Sequence, residues 1–167
     1  GAAAASASVM PETMGARPGS VMDMFARQNA QAAQGEEAPA LEVPAGFDAA
    51  GFESVAKENF VRLQKAWDTG DYNSLGDFTT DDLFIELTHS LRQRGAAKQT
   101  SEVINLEAKL LGVAKMADAN EHIAVVQFKG AMKIEGEFEE VNERWVLTRK
   151  DDDSSGWLLA GIEQVSA

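Results

Sequence analysis

The 167-residue chain contains no cysteine, which excludes disulfide bonds and thiolate metal sites. Its only histidines are His89 and His122, and no group of residues has the spacing of metal ligands, so we expect neither a metal nor a cofactor. The sequence also lacks a Gly-rich phosphate loop and a nucleophile with a neighbouring base. No apolar run approaches the ~20 residues that a membrane-spanning helix needs.

Positive charge is scarce as well. The chain has 15 basic and 27 acidic residues, for a net charge of −12. Because binding to phosphate groups depends on Lys and Arg, this balance disfavours nucleic acid and anionic membrane surfaces as direct partners. The acidic excess favours cationic partners such as basic peptides, or it serves solubility alone.

Proline is confined to residues 1–46, which are also rich in Ala, Gln, Met and Gly. This composition is typical of a linker. Within it, Ser20 can cap a short amphipathic helix near residues 20–33 that carries Val21, Met24 and Phe25 on one face. We expect this helix to dock in an apolar groove of its own domain, or of a neighbouring molecule, which would give self-association. The folded domain then covers residues 47–167.

Apolar residues recur at three- and four-residue steps after Asp48, a good N-cap, and predict a first helix. Gly70 ends this helix because glycine readily adopts the left-handed C-cap conformation. The apolar stripe consists of Phe52, Val55, Ala56, Phe60, Leu63 and Trp67.

Two further helices are predicted before the pattern changes. Asp71 can cap a short second helix that runs through Leu75. Thr79 and Asp82 resemble a capping box for a third helix, which ends at Gly95. Its apolar residues are Leu83, Phe84, Leu87 and Leu91.

From Thr100 onward the hydrophobic period becomes two, which indicates strands. Four are predicted, and their short connections imply antiparallel neighbours. Glycine marks two irregular points, a bulge at Gly112 and a bend at Gly130. The strands cover roughly Glu102–Ala117, Glu121–Glu135, Phe138–Lys150 and Trp157–Val165.

Alternation along the strands identifies the face that should meet the helices. Ala124, Val126, Phe128, Gly130, Met132 and Ile134 share one face of the second strand, and Val141, Glu143, Trp145, Leu147 and Arg149 share one face of the third. We therefore predict an α+β domain with a curved antiparallel four-stranded sheet packed on three helices, cone-shaped and with a cavity. Its core should join Leu63, Leu87, Phe128 and Trp145.

Several short blocks of sequence, in their order and spacing, resemble the Tim44-like domain of bacteria and mitochondria. This domain belongs to the larger fold group typified by nuclear transport factor 2, and the resemblance covers most of the predicted domain. The matching blocks are Phe60, Leu63, Gln64, Ala66, Trp67, Asp68, Gly70 and Asp71; Thr79, Leu83 and Leu87; Glu143, Trp145, Leu147 and Arg149; and Gly156, Trp157, Leu158, Leu159, Ala160, Gly161, Ile162 and Gln164.

The resemblance implies a binding role. The mitochondrial member is a scaffold on the inner membrane that ties an Hsp70 motor to the protein-import channel, although its motor-engaging part lies outside the shared domain. Bacterial relatives commonly carry an N-terminal hydrophobic segment and a linker before the domain. The resemblance thus implies a non-enzymatic protein of the bacterial cell envelope, associated with the inner membrane through a segment that these residues do not include. Its domain would bind protein partners, a hydrophobic peptide or an acyl group.

Glu143 is the basis of an alternative hypothesis, in which the protein is an enzyme. The same fold group hosts isomerases and dehydratases that place an acidic or histidine base in a cavity. An inward-facing Glu143 with a raised pKa would suit a general base. It would equally suit a structural hydrogen bond to a Trp indole or an ion pair with Arg149. We expect the structural role, and hence no enzyme; a purely structural oligomerisation module is a third hypothesis.

Fold analogy places the candidate ligand or partner pocket between the helices and the sheet. The three tryptophans carry the largest side chains and lie near element ends or beside charged residues, which suits a cavity rim. The predicted pocket residues are Phe60, Leu63, Trp67, Leu83, Leu87, Phe128, Met132, Glu143, Trp145 and Trp157.

Overall fold

The computed structural model describes residues 13–14, 41–95, 97–116, 120–151 and 156–165, and confirms the predicted fold class. Within these residues, three helices pack against four long antiparallel strands that form a curved, unclosed sheet. The amphipathic helix predicted near residues 20–33 lies outside the described residues. None of the described helices combines the length and the apolar character needed to cross a membrane.

The helices are α1 (Ala49–Thr69), α2 (Tyr72–Asp77) and α3 (Asp81–Arg94). The cap predicted for α1 is confirmed, because an Asp48 carboxylate oxygen accepts a hydrogen bond from the Gly51 N–H at 3.0 Å. At its other end, Gly70 adopts the left-handed conformation with φ of 69°. Local cap chemistry therefore fixes the length of the longest helix.

The cap of α3 was predicted one residue too early. The Thr80 hydroxyl, rather than that of Thr79, accepts the hydrogen bond from the Leu83 N–H, at 3.3 Å. Thr79 is buried, and its hydroxyl donates to the Leu75 carbonyl at 2.7 Å. With two adjacent threonines, the burial of one decides which of them remains available as a cap.

The strands are β1 (Thr13–Met14), β2 (Ser101–Met116), β3 (Glu121–Ile134), β4 (Glu137–Lys150) and β5 (Leu158–Gln164). They lie in the order β1-β5-β4-β3-β2, and all neighbours are antiparallel. The four long strands end within one residue of the predicted bounds. The two-residue β1 lies in the segment that was predicted to be a linker, and adds to one edge of the sheet.

Two glycines permit close backbone approaches at irregular points of the β2–β3 pairing. The register shifts between Leu110 and Gly112, which confirms the predicted bulge. A Cβ atom at Gly112 would lie 2.6 Å from the backbone nitrogen of Glu42, which passes over the strand. A Cβ atom at Gly130 would lie 2.2 Å from the carbonyl oxygen of Asn105, beside the second register shift.

We expect Gly130→Ala to lower the free energy of unfolding by about 1–3 kcal/mol, because the added methyl group forces the β2 backbone away. Gly156→Ala is the matched control, since a Cβ atom there meets nothing within 4 Å. Urea denaturation of both variants tests this expectation. Equal stability of the two variants would contradict the close approach at Gly130.

One apolar cluster fills the space between the helices and the sheet. Leu63, Leu87, Phe128 and Trp145 all belong to it and are fully buried, as predicted. The Phe60 ring lies 5.0 Å from that of Phe128 and 5.5 Å from that of Trp145, measured between centroids. Such aromatic contacts add to the free energy gained from buried area alone.

A second, smaller cluster covers part of the opposite face of the sheet. It consists of Met116, Ile123, Val125 and Val146, with Leu41 packed against it. The Glu42 carbonyl accepts a hydrogen bond from the Val113 N–H at 3.0 Å. Residues just before Phe47 are therefore attached to the sheet, although they were predicted to belong to the linker.

Candidate partner-binding cleft

Nine of the ten predicted pocket residues are core residues in the structure. Each has at most 3% of its surface exposed: Phe60, Leu63, Trp67, Leu83, Leu87, Phe128, Met132, Glu143 and Trp145. Trp157 is half-buried and lines a surface cleft. A role for the nine in binding stays a prediction, and their present contacts are those of packing.

Glu143 has no exposed surface and is held by two side-chain donors. The Trp145 indole N–H donates to one carboxylate oxygen at 2.7 Å, and the Gln164 amide donates to the other at 3.3 Å. A general base must come within hydrogen-bond reach of a substrate. Because Glu143 is covered on all sides, this geometry favours the structural role.

Two arginines of β4 make contacts with other side chains in the structure. Arg144 faces the opposite side of the sheet, as expected from alternation, and its guanidinium lies 3.5 Å from the Glu163 carboxylate. The guanidinium of Arg149 lies over the Trp157 ring, 5.4 Å from its centroid. The tryptophan hydrogen bond therefore accounts for part of the environment of the buried carboxylate.

The Trp-Asp-Thr-Gly-Asp corner, residues 67–71, includes the last residues of α1 and holds the end of this helix against the sheet. The buried Asp68 carboxylate accepts hydrogen bonds from the Gln99 amide at 2.8 Å and from the Ser101 N–H at 2.9 Å. The Ser101 hydroxyl donates to the same carboxylate. These bonds join the end of α1 to the first residue of β2, which gives this corner a structural role.

The aspartate that ends the corner caps the next helix. Asp71 accepts from the Ser74 hydroxyl at 2.7 Å and from the Ser74 N–H at 3.2 Å. These two bonds hold the pKa of the Asp71 carboxyl below its ordinary value, with the hydroxyl as the larger cause. The cap predicted for the short helix α2 is thereby confirmed.

A second carboxyl with a lowered pKa, that of Asp151, directly follows β4 and contacts the start of β3. His122 Nε2 lies 2.8 Å from an Asp151 carboxylate oxygen, and the Lys115 ammonium lies 3.2 Å from the other. The His122 hydrogen bond, followed by that of Lys115, lowers the pKa of Asp151.

In the part of the chain that the structure describes, no three acidic or histidine side chains are grouped to hold a metal ion.

An apolar cleft of about 450 Å³ opens where α1 begins. Phe47 precedes the Asp48 cap and packs on Phe52 in the first turns of α1, with ring centroids 5.8 Å apart. This pair is a hydrophobic staple, which fixes the angle at which the chain enters the helix. The Trp157 ring meets Phe52 edge-on at 5.4 Å and forms the opposite wall.

The cleft is apolar at its base and polar at its rim. Buried Ala56 and Leu147 lie beneath it, while Asp48 and Asn59 contribute polar groups. Val55 lines it and is 54% exposed, although it belongs to the apolar stripe predicted for the first helix. A concave apolar surface with few polar groups is suited to an apolar side chain or acyl chain.

Sequence reasoning included Trp157 among the pocket residues but missed the rest of the cleft. The order Phe47, Asp48 and Phe52 contains a detectable signal, because a hydrophobic residue before the N-cap and another at the fourth helical position predict a staple. No such signal shows that Val55 is exposed, since its spacing fits the apolar stripe equally well.

The family model of the Tim44-like domain matches residues 33–164. The chain belongs to this family. A comparison with curated proteins finds none that matches it. The matched part of this Tim44-like chain includes the corner at residues 67–71 and the whole cleft from Phe47 to Trp157. The matched part also includes Glu42, whose carbonyl accepts a hydrogen bond from the Val113 N–H of β2.

Proposed function

We propose that this Tim44-like chain is a non-enzymatic binding protein and that it receives an apolar group of a protein partner in the cleft beside Val55. The exposed valine in an aromatic-walled cleft is the observation that carries this proposal. A hydrophobic peptide or an acyl group has the same chemistry and is an equivalent ligand. The family relationship supports a scaffold role that relies on protein partners.

The location that fits this role is the bacterial cell envelope, with the domain held at the inner membrane by a hydrophobic segment. The net charge of −12 supports attachment through such a segment, because an acidic surface is repelled by anionic headgroups. The same charge favours partners with a basic character around the apolar group.

The expected affinity follows from the area left to bury. Covering one half-exposed apolar side chain contributes at most ~1.5–3 kcal/mol, and immobilising a partner offsets part of it. With Val55, Phe52 and Trp157 as the accessible anchors, we expect a weak to moderate interaction that depends on the tether for local concentration.

A photo-reactive amino acid placed on α1 tests the proposal in living cells. Val55 lines the cleft, whereas Val61 lies on the same helix, is exposed to a similar extent (48%, against 54% for Val55) and lies outside the cleft residues. We expect a discrete cross-linked product from position 55 and little from position 61 when each is replaced in the full chain. Equal products from both positions, or none from position 55, would refute binding in the cleft.

A further inference from the structure

At one end of the sheet β1 is the outermost strand and pairs with the outer side of β5; at the other end β2 is the outermost strand. Sheet edges present unpaired backbone groups and recruit other strands unless they are covered. The opposite edge, on β2, is bonded within the domain at two points: the Glu53 carboxylate accepts from the Leu110 N–H at 2.8 Å, and the Glu42 carbonyl accepts from the Val113 N–H at 3.0 Å. The two halves of the β5 edge are covered in different ways.

The first half of β5 is bonded to the segment between α2 and α3. The Leu159 N–H donates to the Phe78 carbonyl at 2.8 Å, and the Thr80 N–H donates to the Leu159 carbonyl at 2.9 Å. Both outward backbone groups of Leu159 are thus used by the folded domain itself. A strand from elsewhere can reach only the second half of β5.

The second half of β5 turns backbone groups outward at Ile162. The Val165 N–H donates to the Asn142 carbonyl on β4 at 2.9 Å, so Val165 faces β4. Because backbone direction alternates along a strand, Glu163 also faces β4 and Ile162 faces outward. Met14 lies opposite Ile162 and Thr13 lies opposite Glu163, so Met14 with Ile162 is the hydrogen-bonded pair.

The strand that the structure describes on this half of the edge is distant in sequence from the rest of the domain. Its described residues are Thr13 and Met14, and residues 15–40 separate them from Leu41. By sequence this segment is poorly suited to a long strand, because Pro11 has no N–H and glycine, as at position 15, is unfavourable in strands. A longer strand would make more backbone hydrogen bonds at the same edge.

We infer that the outer edge of β5 at Ile162 is a binding site for an extended peptide, and that Thr13–Met14 is its resident strand in the isolated protein. A partner segment binds by displacing Thr13–Met14 and adding a strand to the sheet. Because the chain is acidic, neutral or basic peptide segments should bind best. The residue opposite Ile162 cannot be proline, which has no N–H to donate. This site goes beyond the proposed cleft, because it uses backbone groups on a different surface.

The absence of cysteine makes the resident strand directly testable in the full chain. Thr13 and Glu163 form the non-hydrogen-bonded pair, whose Cα atoms lie about 4.5 Å apart in antiparallel strands, within the range that a disulfide bridges. We expect T13C/E163C to form an intramolecular disulfide under mild oxidation. The control T13C/E137C places its second cysteine on exposed Glu137 at the start of β4 and should form much less. Equal yields, or a disulfide that joins two molecules, would refute a resident strand in the same chain.

A labelled synthetic peptide with the sequence of residues 8–19 tests exchange. Met14→Pro in the full chain removes the N–H that faces Ile162 and should vacate the edge. If the resident strand is present about 90% of the time, the peptide binds the wild-type chain about tenfold more weakly than the M14P chain. A peptide carrying M14P should not bind, whereas a T13P peptide should, since the Thr13 N–H points away from β5. Equal binding to both chains, or equal binding of both proline peptides, would overturn the inference.

Discussion

Replacing Trp145 with alanine should lower the free energy of unfolding by about 3–5 kcal/mol, because it leaves a large cavity in the centre of the core. The side chain has no exposed surface. Its ring lies 4.8 Å from that of Phe128 and 5.5 Å from that of Phe60, so one substitution removes two aromatic contacts. It also removes the indole N–H that donates to the Glu143 carboxylate at 2.7 Å.

Trp157→Ala is the matched control, since Trp157 is half-buried at the cleft and meets one aromatic ring, that of Phe52. Chemical denaturation should show a clearly smaller loss for this variant. In a chain of this size each kcal/mol shifts the melting temperature by about 2–4 °C. A W145A protein that melts within about two degrees of the parent would contradict the burial of Trp145 and the β4 register.

Replacing Glu143 with leucine should produce the second large effect. The substitution removes the acceptor of the Trp145 indole N–H and of the Gln164 amide. A buried donor left unpaired lowers the free energy of unfolding by about 1–3 kcal/mol. We expect this full cost for the indole N–H, because Trp145 is completely buried. Glu143→Gln should cost less, since its amide oxygen can still accept from the indole.

The expected order of stability is therefore wild type, E143Q, then E143L, measured by urea denaturation at neutral pH. If E143L equals the wild type, the hydrogen bonds do not hold the sheet. The glutamine variant also tests the catalytic alternative, because an amide cannot act as a general base. A substrate whose conversion disappears in folded E143Q would contradict the structural role of Glu143.

Local sequence signals predicted the elements well because their chemistry is local. Asp48, Gly70 and Asp71 each act on the backbone within a few residues, so their caps were recognised without any tertiary contact. Alternation in β3 and β4 identified the inner face, including buried Glu143. Thr79 and Thr80 could not be separated by the same reasoning, because only the buried environment of Thr79 decides between them.

The candidate site was harder to predict for two physical reasons. Residues of a packed core and residues of a pocket share the same apolar pattern, so the sequence could not separate the two roles for Phe128 and Met132, which are core residues in the structure. The cleft arises where Phe47, Val55 and Trp157 converge from distant parts of the chain. Thr13–Met14 carries no periodic signal at all, and its position depends on a distant sheet edge.

One experiment tests both binding of partners at the outer cleft and the structural role of the interior Glu143 carboxylate. A photo-reactive residue at Asn59, on the rim of the cleft, measures this in the full chain when combined with either Val55→Asp or Glu143→Gln. We expect V55D to lower the cross-linking yield about tenfold, because it puts a charge in the apolar contact. We expect E143Q to retain most of the yield. Loss of cross-linking in folded E143Q with full cross-linking in V55D would contradict both binding at the cleft and the structural role of Glu143.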